Sequence, residues 1–522
     1  MRRTKIIAFL LVIVMLVSVL ASCNGGSEET EETVSQDGPQ LDQKWMDLNF
    51  GEDLIINVNV FNPSEQTFLN PSIYERGPES IAEATDTVTK MVYDRNVTIA
   101  NALDLNIVWE ETNATIIAGQ TILEQFVKLS PDNSPDIYVS FIYDIIHSML
   151  TGSLQNLYHN YGEENPQDGE VNYFDFDAEG WYTEYMKGTT MRQDKMYMMA
   201  GDYFVDIIRW SYVIYVNRTL FDELGIMGYN MDYLYADVID KAWDYEWFAI
   251  FIEQAFQDAN GDGVEDSKVD DSIGFISTPH MERAFTWTTG LSVVGWEGEA
   301  YNSKPYIIEN NADMFAFAGE FDKLYNTPGV MRIDNILGAI TLFLEDGVLF
   351  TLSMMGEMES ESVRDSEVQK GLLPVPLYDK DKQDDYYTLV HDLANIGCIL
   401  NNVRRFSAAT AYMQLANETS VPILKEYYEK ALKLKYTEDA DDRAMIDLIH
   451  DRVVSPFDSI IARLIISGGA FLPEAPFSGT EIYNIVLYAA DDTAGFQSSY
   501  ATGSEGWKKN LIRMSEIFDE LL

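Results

Sequence analysis

The chain has 522 residues, 46% hydrophobic and 12% aromatic, with 85 acidic side chains against 35 basic ones and a net charge of −50. That charge repels phosphate backbones and anionic lipid surfaces, which argues against nucleic acid as a partner. The length exceeds what one hydrophobic core usually supports, so an α/β protein of two lobes is expected.

Met1, Arg2, Arg3, Thr4 and Lys5 precede an apolar run, Ile6–Leu20, and together they read as the charged and hydrophobic parts of a secretion signal over residues 1–22. The run is shorter than the roughly 20 residues a spanning helix needs. It ends in Leu20, Ala21, Ser22 and Cys23, which resembles a bacterial lipobox. The resemblance implies cleavage before Cys23, a lipid on its sulfur and an acylated new amino terminus, enough acyl chains for stable anchoring to the outer face of the cytoplasmic membrane. Cleavage leaves 32 basic against 85 acidic residues, a charge of −53. Asn24–Gln43 is rich in Gly, Ser, Glu and Thr, and residues 23–50 are read as a flexible acidic tether. The other cysteine, Cys398, has no partner once Cys23 is lipidated, so no disulfide staples the fold; it reads as a buried, inert thiol.

From Asp53, Ile56, Val58 and Val60 alternate with Asn57 and Asn59 as in a strand, and Asn62, Pro63 and Ser64 end it. Val88, Met91, Val92, Ile99 and Leu103 recur at helical spacing, and Leu105–Trp109 suits a buried strand. A second helical stretch, Ile116–Leu129, stops at Pro131, and Asp136–Val139 supplies a third strand. Strand, helix, strand, helix, strand at these lengths predicts right-handed crossovers and a parallel sheet. Ligands of such sheets bind beyond the carboxyl ends of the strands, which places Asn62 and Tyr143 near a site; the alternative is that both pack locally in loops.

Trp181, Trp210, Trp243, Trp247, Trp287 and Trp296 crowd the middle of the chain. An indole face can stack on a sugar ring, though the same apolar area also serves a core. Ala409–Leu415 and Ile423–Lys435 read as helices, and Asp441 or Asp442 could cap a further helix through Ile449.

Several segments, in consistent order from about residue 50 to about 460, resemble the extracellular solute-binding proteins of ABC importers, specifically the large sugar-binding family that includes maltose-binding protein. Tyr215-Val216-Asn217-Arg218-Thr219-Leu220-Phe221-Asp222-Glu223-Leu224-Gly225-Ile226 is similar to the family's YxNxxLFxxxGI stretch. Gly152–Leu157 resembles its GxLxxL segment, Asp194-Lys195-Met196-Tyr197 its DGKxY without the glycine, and Phe343–Val348 its FxxGxxAM strand entry. Asp384–Thr388 and Tyr427-Tyr428-Glu429 with Leu432-Lys433 resemble a Gram-positive branch of larger lipoproteins. The resemblance implies a periplasmic-binding-protein-like fold, two α/β lobes with a hinge and an interlobe cleft. Mapped here, lobe one covers 50–165 and 390–455, and lobe two covers 170–388 and 456–522. It also implies a monomer that closes on a carbohydrate, an oligosaccharide by the chain's length, and hands it to permease subunits. Glu357, after Gly356, falls where the family often places a cleft residue, and Asp392 falls at a crossover between lobes. The candidate ligand contacts are therefore Asn62, Tyr143, Trp181, Trp210, Trp287, Trp296, Glu357 and Asp392.

Asp258, Asn260, Asp262, Val264 and Asp266 place oxygen donors at alternate positions around Gly263, as a hard cation needs, and predict a structural calcium ion. The twelfth position is Val269, so a regulatory EF-hand is not expected. The sequence has no phosphate-cradling glycine loop, no HExxH and no GxSxG, and its five histidines show no short ligand spacing, which favours a binder over an enzyme. A secreted glycosidase, needing only two carboxylates, is the alternative, and a surface sugar-binding module without transport is a third.

Overall fold

Apolar runs between turn-forming residues become strands, and the computed structural model gathers most of them into two main sheets. It describes residues 38–60, 72–113, 123–158, 170–192, 194–261, 272–279, 281–334, 336–345, 347–429, 440–455 and 493–520. Leu41–Leu522 form one unit. In chain order its described strands are β1 (Glu52–Val60), β2 (Leu105–Asn113), β3 (Ile137–Phe141), β4 (Tyr212–Asn217), β5 (Ile273–Ser277), β6 (Val294–Trp296) and β7 (Pro305–Ile307). Then come β8 (Val330–Arg332), β9 (Val348–Met354), β10 (Lys370–Leu373), β11 (Thr388–Leu389), β12 (Asn395–Ile399) and β13 (Val453–Val454).

The first sheet runs β12-β3-β1-β2, with β1 parallel to both β2 and β3, as the strand-helix-strand pattern predicts. β12, some 250 residues later in the chain, adds antiparallel to β3. The helix Thr87–Leu103 starts on a capping box: Asp86 Oδ1 accepts from Thr89 N at 2.8 Å, and Thr89 Oγ1 accepts from Asp86 N at 3.2 Å. Of the expected helix Ile116–Leu129, the described part is helical over 123–126. In β1 the alternation of Asn with Ile and Val does not mark a wet face. Both faces of this central strand are covered, so Asn57 and Asn59 are buried and need partners. Asn59 Nδ2 donates to Ser140 Oγ at 3.0 Å and Asp144 Oδ2 at 3.3 Å.

The span read as a tether gains structure before it ends. Trp45 is 1% exposed, its ring 5.9 Å from that of Tyr173, and Leu48 and Phe50 pack on the same core. These three side chains bring the apolar area that Asn24–Gln40 lacks.

The second sheet runs β10-β4-β9-β5-β8, with β8, β5 and β9 parallel and β4 antiparallel to β9 and β10. Aromatic rings fill its core. Phe248 lies 5.1 Å from Phe275 and 5.2 Å from Phe350, and Trp243 packs on Phe248 and Phe251 while its Nε1 donates to Pro374 O. Part of the tryptophan richness of the sequence is thus spent on packing. Asp244 caps the helix Tyr245–Ala255 by accepting from Trp247 N at 3.0 Å.

Two neighbouring segments join the sheets. The chain stays with the first sheet past residue 170, because Val171, Tyr173 and Asp175 donate their backbone N–H groups to Ser407, Thr410 and Gln414 of the helix Phe406–Glu418. Met199 then bridges to Gly397 beside β12, and Gly201–Ser211 leads into β4. The return segment after β11 runs antiparallel alongside: Ser211 bridges to Val390, and His391 N donates to Trp210 O at 2.8 Å. The helix Val421–Tyr427 packs on Thr87–Leu103, whereas the helix Ala440–His450 packs on β10 of the second sheet.

Candidate functional site

The crossing draws together four of the residues singled out from sequence. Trp210 ends the first segment, and its ring lies 5.0 Å from that of His391 in the second, with Tyr212 5.7 Å away on the same imidazole. Asp392 follows His391 and is buried; its Oδ2 accepts from Arg283 Nη1 at the start of the helix Arg283–Trp287, on which Trp287 is also buried. Glu357 sits in the 3-10 turn Met355–Glu359 that follows β9.

That turn is tied at both ends. Met355 N donates to Ser211 O at 2.9 Å, and the Tyr215 hydroxyl donates to Met354 O at 2.8 Å and Met355 O at 3.2 Å. Beyond it, Ser360 Oγ donates to Glu357 O at 2.8 Å. The Glu357 side chain is 7% exposed, and its carboxylate has no hydrogen-bond partner among the described residues. Burial, and then the nearby Glu359 charge, push it up to about 7. A shielded carboxyl without a partner at a strand's carboxyl end is the kind of group that binding sites contain.

Glu359, two residues on, is fully engaged. Arg209 Nε and Nη2 donate to its two oxygens at 2.8 and 3.2 Å, and the Tyr427 hydroxyl donates to Oε1. Arg209 Nη1 donates to Asp206 Oδ1 at 2.7 Å, and Asp206 Oδ2 accepts from Asn395 N at 3.3 Å. The Tyr74 ring lies 5.1 Å from the guanidinium. Sequence reading passed over Asp206 and Arg209, although two opposite charges three residues apart inside the apolar run Phe204–Trp210 mark a buried pair.

The other candidates lie elsewhere. Tyr143 is the second residue of the helix Ile142–Leu150, just past the carboxyl end of β3. Trp296, in the β6-β7 hairpin, packs 5.0 Å from Tyr301. Trp181 donates from Nε1 to Gln414 Oε1 at 3.1 Å and lines a cavity of about 700 Å³ with Tyr182, Asp202, Tyr428 and His450. Asn62 lies outside the described residues, as do Asp262, Val264 and Asp266 of the acidic loop and Cys23. Asp258 and Asn260 are described, and Asp258 Oδ1 accepts from Gly261 N at 2.6 Å. Cys398 is buried in β12, and burial pushes its thiol well up, which suits an inert role.

No family model and no curated protein matches the chain. Many solved structures share its fold, among them the following two. The galacto-N-biose-/lacto-N-biose I-binding protein of the ABC transporter from Bifidobacterium longum, in complex with lacto-N-biose, is similar at 10% identity over 90% of this chain and 97% of that one, with a TM-score of 0.50. A cyclo/maltodextrin-binding protein complexed with maltotetraose is similar at 10% identity over 89% of this chain and 96% of that one, with a TM-score of 0.51. The expected mixed α/β, periplasmic-binding-protein-like fold is therefore the fold of this chain.

Beside the cavity, His450 Nε2 lies 3.3 Å from Asp202 Oδ1 and Nδ1 2.9 Å from Asp451 Oδ1, with the rings of Tyr182 and Tyr428 edge-on to the imidazole. Burial pulls the imidazole down, but the two carboxylates outweigh it and push it up to about 9. Because the folded value is raised, the stabilisation is complete below the unfolded value of 6.5 and is lost as pH rises through about 9. Denaturant titrations should show His450→Ala destabilised by an extra increment on the order of 3 kcal/mol at about pH 6. That increment should vanish at about pH 10, leaving only the loss of ring packing.

Proposed function

We propose that this protein is the lipid-anchored substrate-binding component of an ABC importer, capturing a carbohydrate, an oligosaccharide, at the crossing between its two sheets and delivering it to a permease without transforming it. The observation that carries this reading is Glu357, a shielded carboxylate with no partner among the described residues, on a tied turn beside Trp210. A carboxylate accepts hydrogen bonds from paired sugar hydroxyls, and an indole edge or face meets the apolar side of a pyranose. The shared fold with two proteins that bind lacto-N-biose and maltotetraose supports the choice of ligand class. The glycosidase alternative needs a second free carboxylate. Glu359, the neighbour of Glu357, is held by Arg209 and Tyr427 and is poorly placed for that role.

Sugar hydroxyls donate to the charged form of Glu357, so binding should strengthen as pH rises through about 7 and weaken below it. Calorimetric titration with a panel of neutral oligosaccharides should show that pH profile. Glu357→Gln should weaken binding about ten- to a hundredfold, the worth of one or two charge-assisted bonds. Recovery of cleaved sugar would replace the binder with an enzyme, and no binding to any sugar would replace the ligand class.

The anchor is part of the same proposal and is supported by the lipobox pattern at Cys23; among the described residues, no helix is long and apolar enough to cross a membrane. Cys23→Ser should release the protein from cells into the medium, detected by blotting both fractions. Calcium at Asp258, Asn260, Asp262, Val264 and Asp266 is likewise proposed on donor spacing. A bound ion stabilises the native state, so a chelator should lower the melting temperature and added calcium restore it, while Asp258→Asn should abolish the difference.

A further inference from the structure

The Met355–Glu359 turn is held from outside at several points. Its entry is held by Ser211 and Tyr215, its exit by Ser360, and Glu359 by Arg209 and Tyr427. Arg209 is itself fixed by Asp206 on the first crossing segment, and Asp206 by the backbone of Asn395 on the second. Tyr427 belongs to a helix packed on Thr87–Leu103, the helix that connects β1 to β2 of the first sheet, and the turn follows β9 of the second. Of the turn's two carboxylates, that of Glu357 has no hydrogen-bond partner among the described residues. A five-residue turn has few internal degrees of freedom, so fixing Glu359 also fixes the backbone from which the Glu357 side chain leaves.

We propose that Glu359, gripped by Arg209 and Tyr427, is the positioning residue that holds Glu357 aimed at the ligand and ties the ligand-bearing turn of the second sheet to the first. The assignment rests on Glu357 being the ligand-binding carboxylate. Two titratable groups face Glu357, Glu359 on its own turn and Tyr215 from β4, and Tyr215 is occupied in its bonds to Met354 O and Met355 O. Glu359 is therefore both its mechanical anchor and its nearest like charge.

The test uses the full chain and has two arms. In the first, without ligand, carboxyl NMR follows the titration of Glu357, assigned with Glu357→Gln. Glu359→Gln keeps the size of the side chain but removes its charge, and it should move the Glu357 midpoint from about 7 toward the ordinary 4.5. Tyr427→Phe, which keeps every charge at the crossing and serves if Glu359→Gln does not fold, should also lower it by letting water reach a loosened turn. An unchanged midpoint in a folded variant overturns the proposal. In the second arm, lacto-N-biose and malto-oligosaccharides are titrated into the same variants. Binding about tenfold weaker in Tyr427→Phe, with the pH profile shifted in parallel, supports the proposal. Equal affinity in Tyr427→Phe alongside lost affinity in Glu357→Gln overturns the positioning role alone. Full affinity in Glu357→Gln overturns the choice of Glu357 as ligand contact, and the positioning role with it.

Discussion

The crossing between the two sheets depends on the charge of Arg209. Its side chain is 1% exposed, and an uncompensated guanidinium at that depth would cost several kcal/mol. Arginine does not escape by losing its proton, so the fold must bring anions to it. Asp206 comes from the same helical turn, and Glu359 arrives from the second sheet. Burial pushes Asp206 up to about 6 against the pull of Arg209, which leaves the pair ionised at neutral pH. Meeting these demands aligns both crossing segments, because the second oxygen of Asp206 takes the backbone N–H of Asn395.

The consequence for the site is a division of labour between two glutamates two positions apart. Glu359 neutralises Arg209 and is consumed by that role, while Glu357 carries a charge that nothing among the described residues answers. The first contributes to stability and the second is a cost to it, since burial and a like charge both disfavour its ionised form. Groups held at such a cost are candidates for function. The His450 cluster shows the contrasting case: its cation is flanked by Asp202 and Asp451, and its perturbation is explained by structure alone.

A net charge of −50 sharpens the contrast. In a chain so acidic, arginines at the crossing and at strand ends act as organisers, each on a buried carboxylate. Arg283 holds Asp392, Arg332 holds Glu282 through two nitrogens, and Arg405 holds Asp136 at the start of β3. Each pair fixes a strand end or a segment between the sheets.

Much of this was legible in the sequence. Local signals determined the first three strands, the parallel pairing of β1 with β2 and β3, and the helices near the end of the chain, because periodicity acts over a few residues. Glu357 could be singled out by its position within a family-like pattern, and Trp210 by the crowding of tryptophans in the middle of the chain. Only the tertiary structure decided that Asn59 is buried, that Val171–Asp175 lies along the helix Phe406–Glu418, and that Trp243 belongs to a core. It alone joined Arg209 to Glu359 across 150 residues of chain and left Glu357 without a hydrogen-bond partner among the described residues. The physical reason is that burial and ion pairing depend on which distant segments meet, and spacing along one segment carries no information about the other.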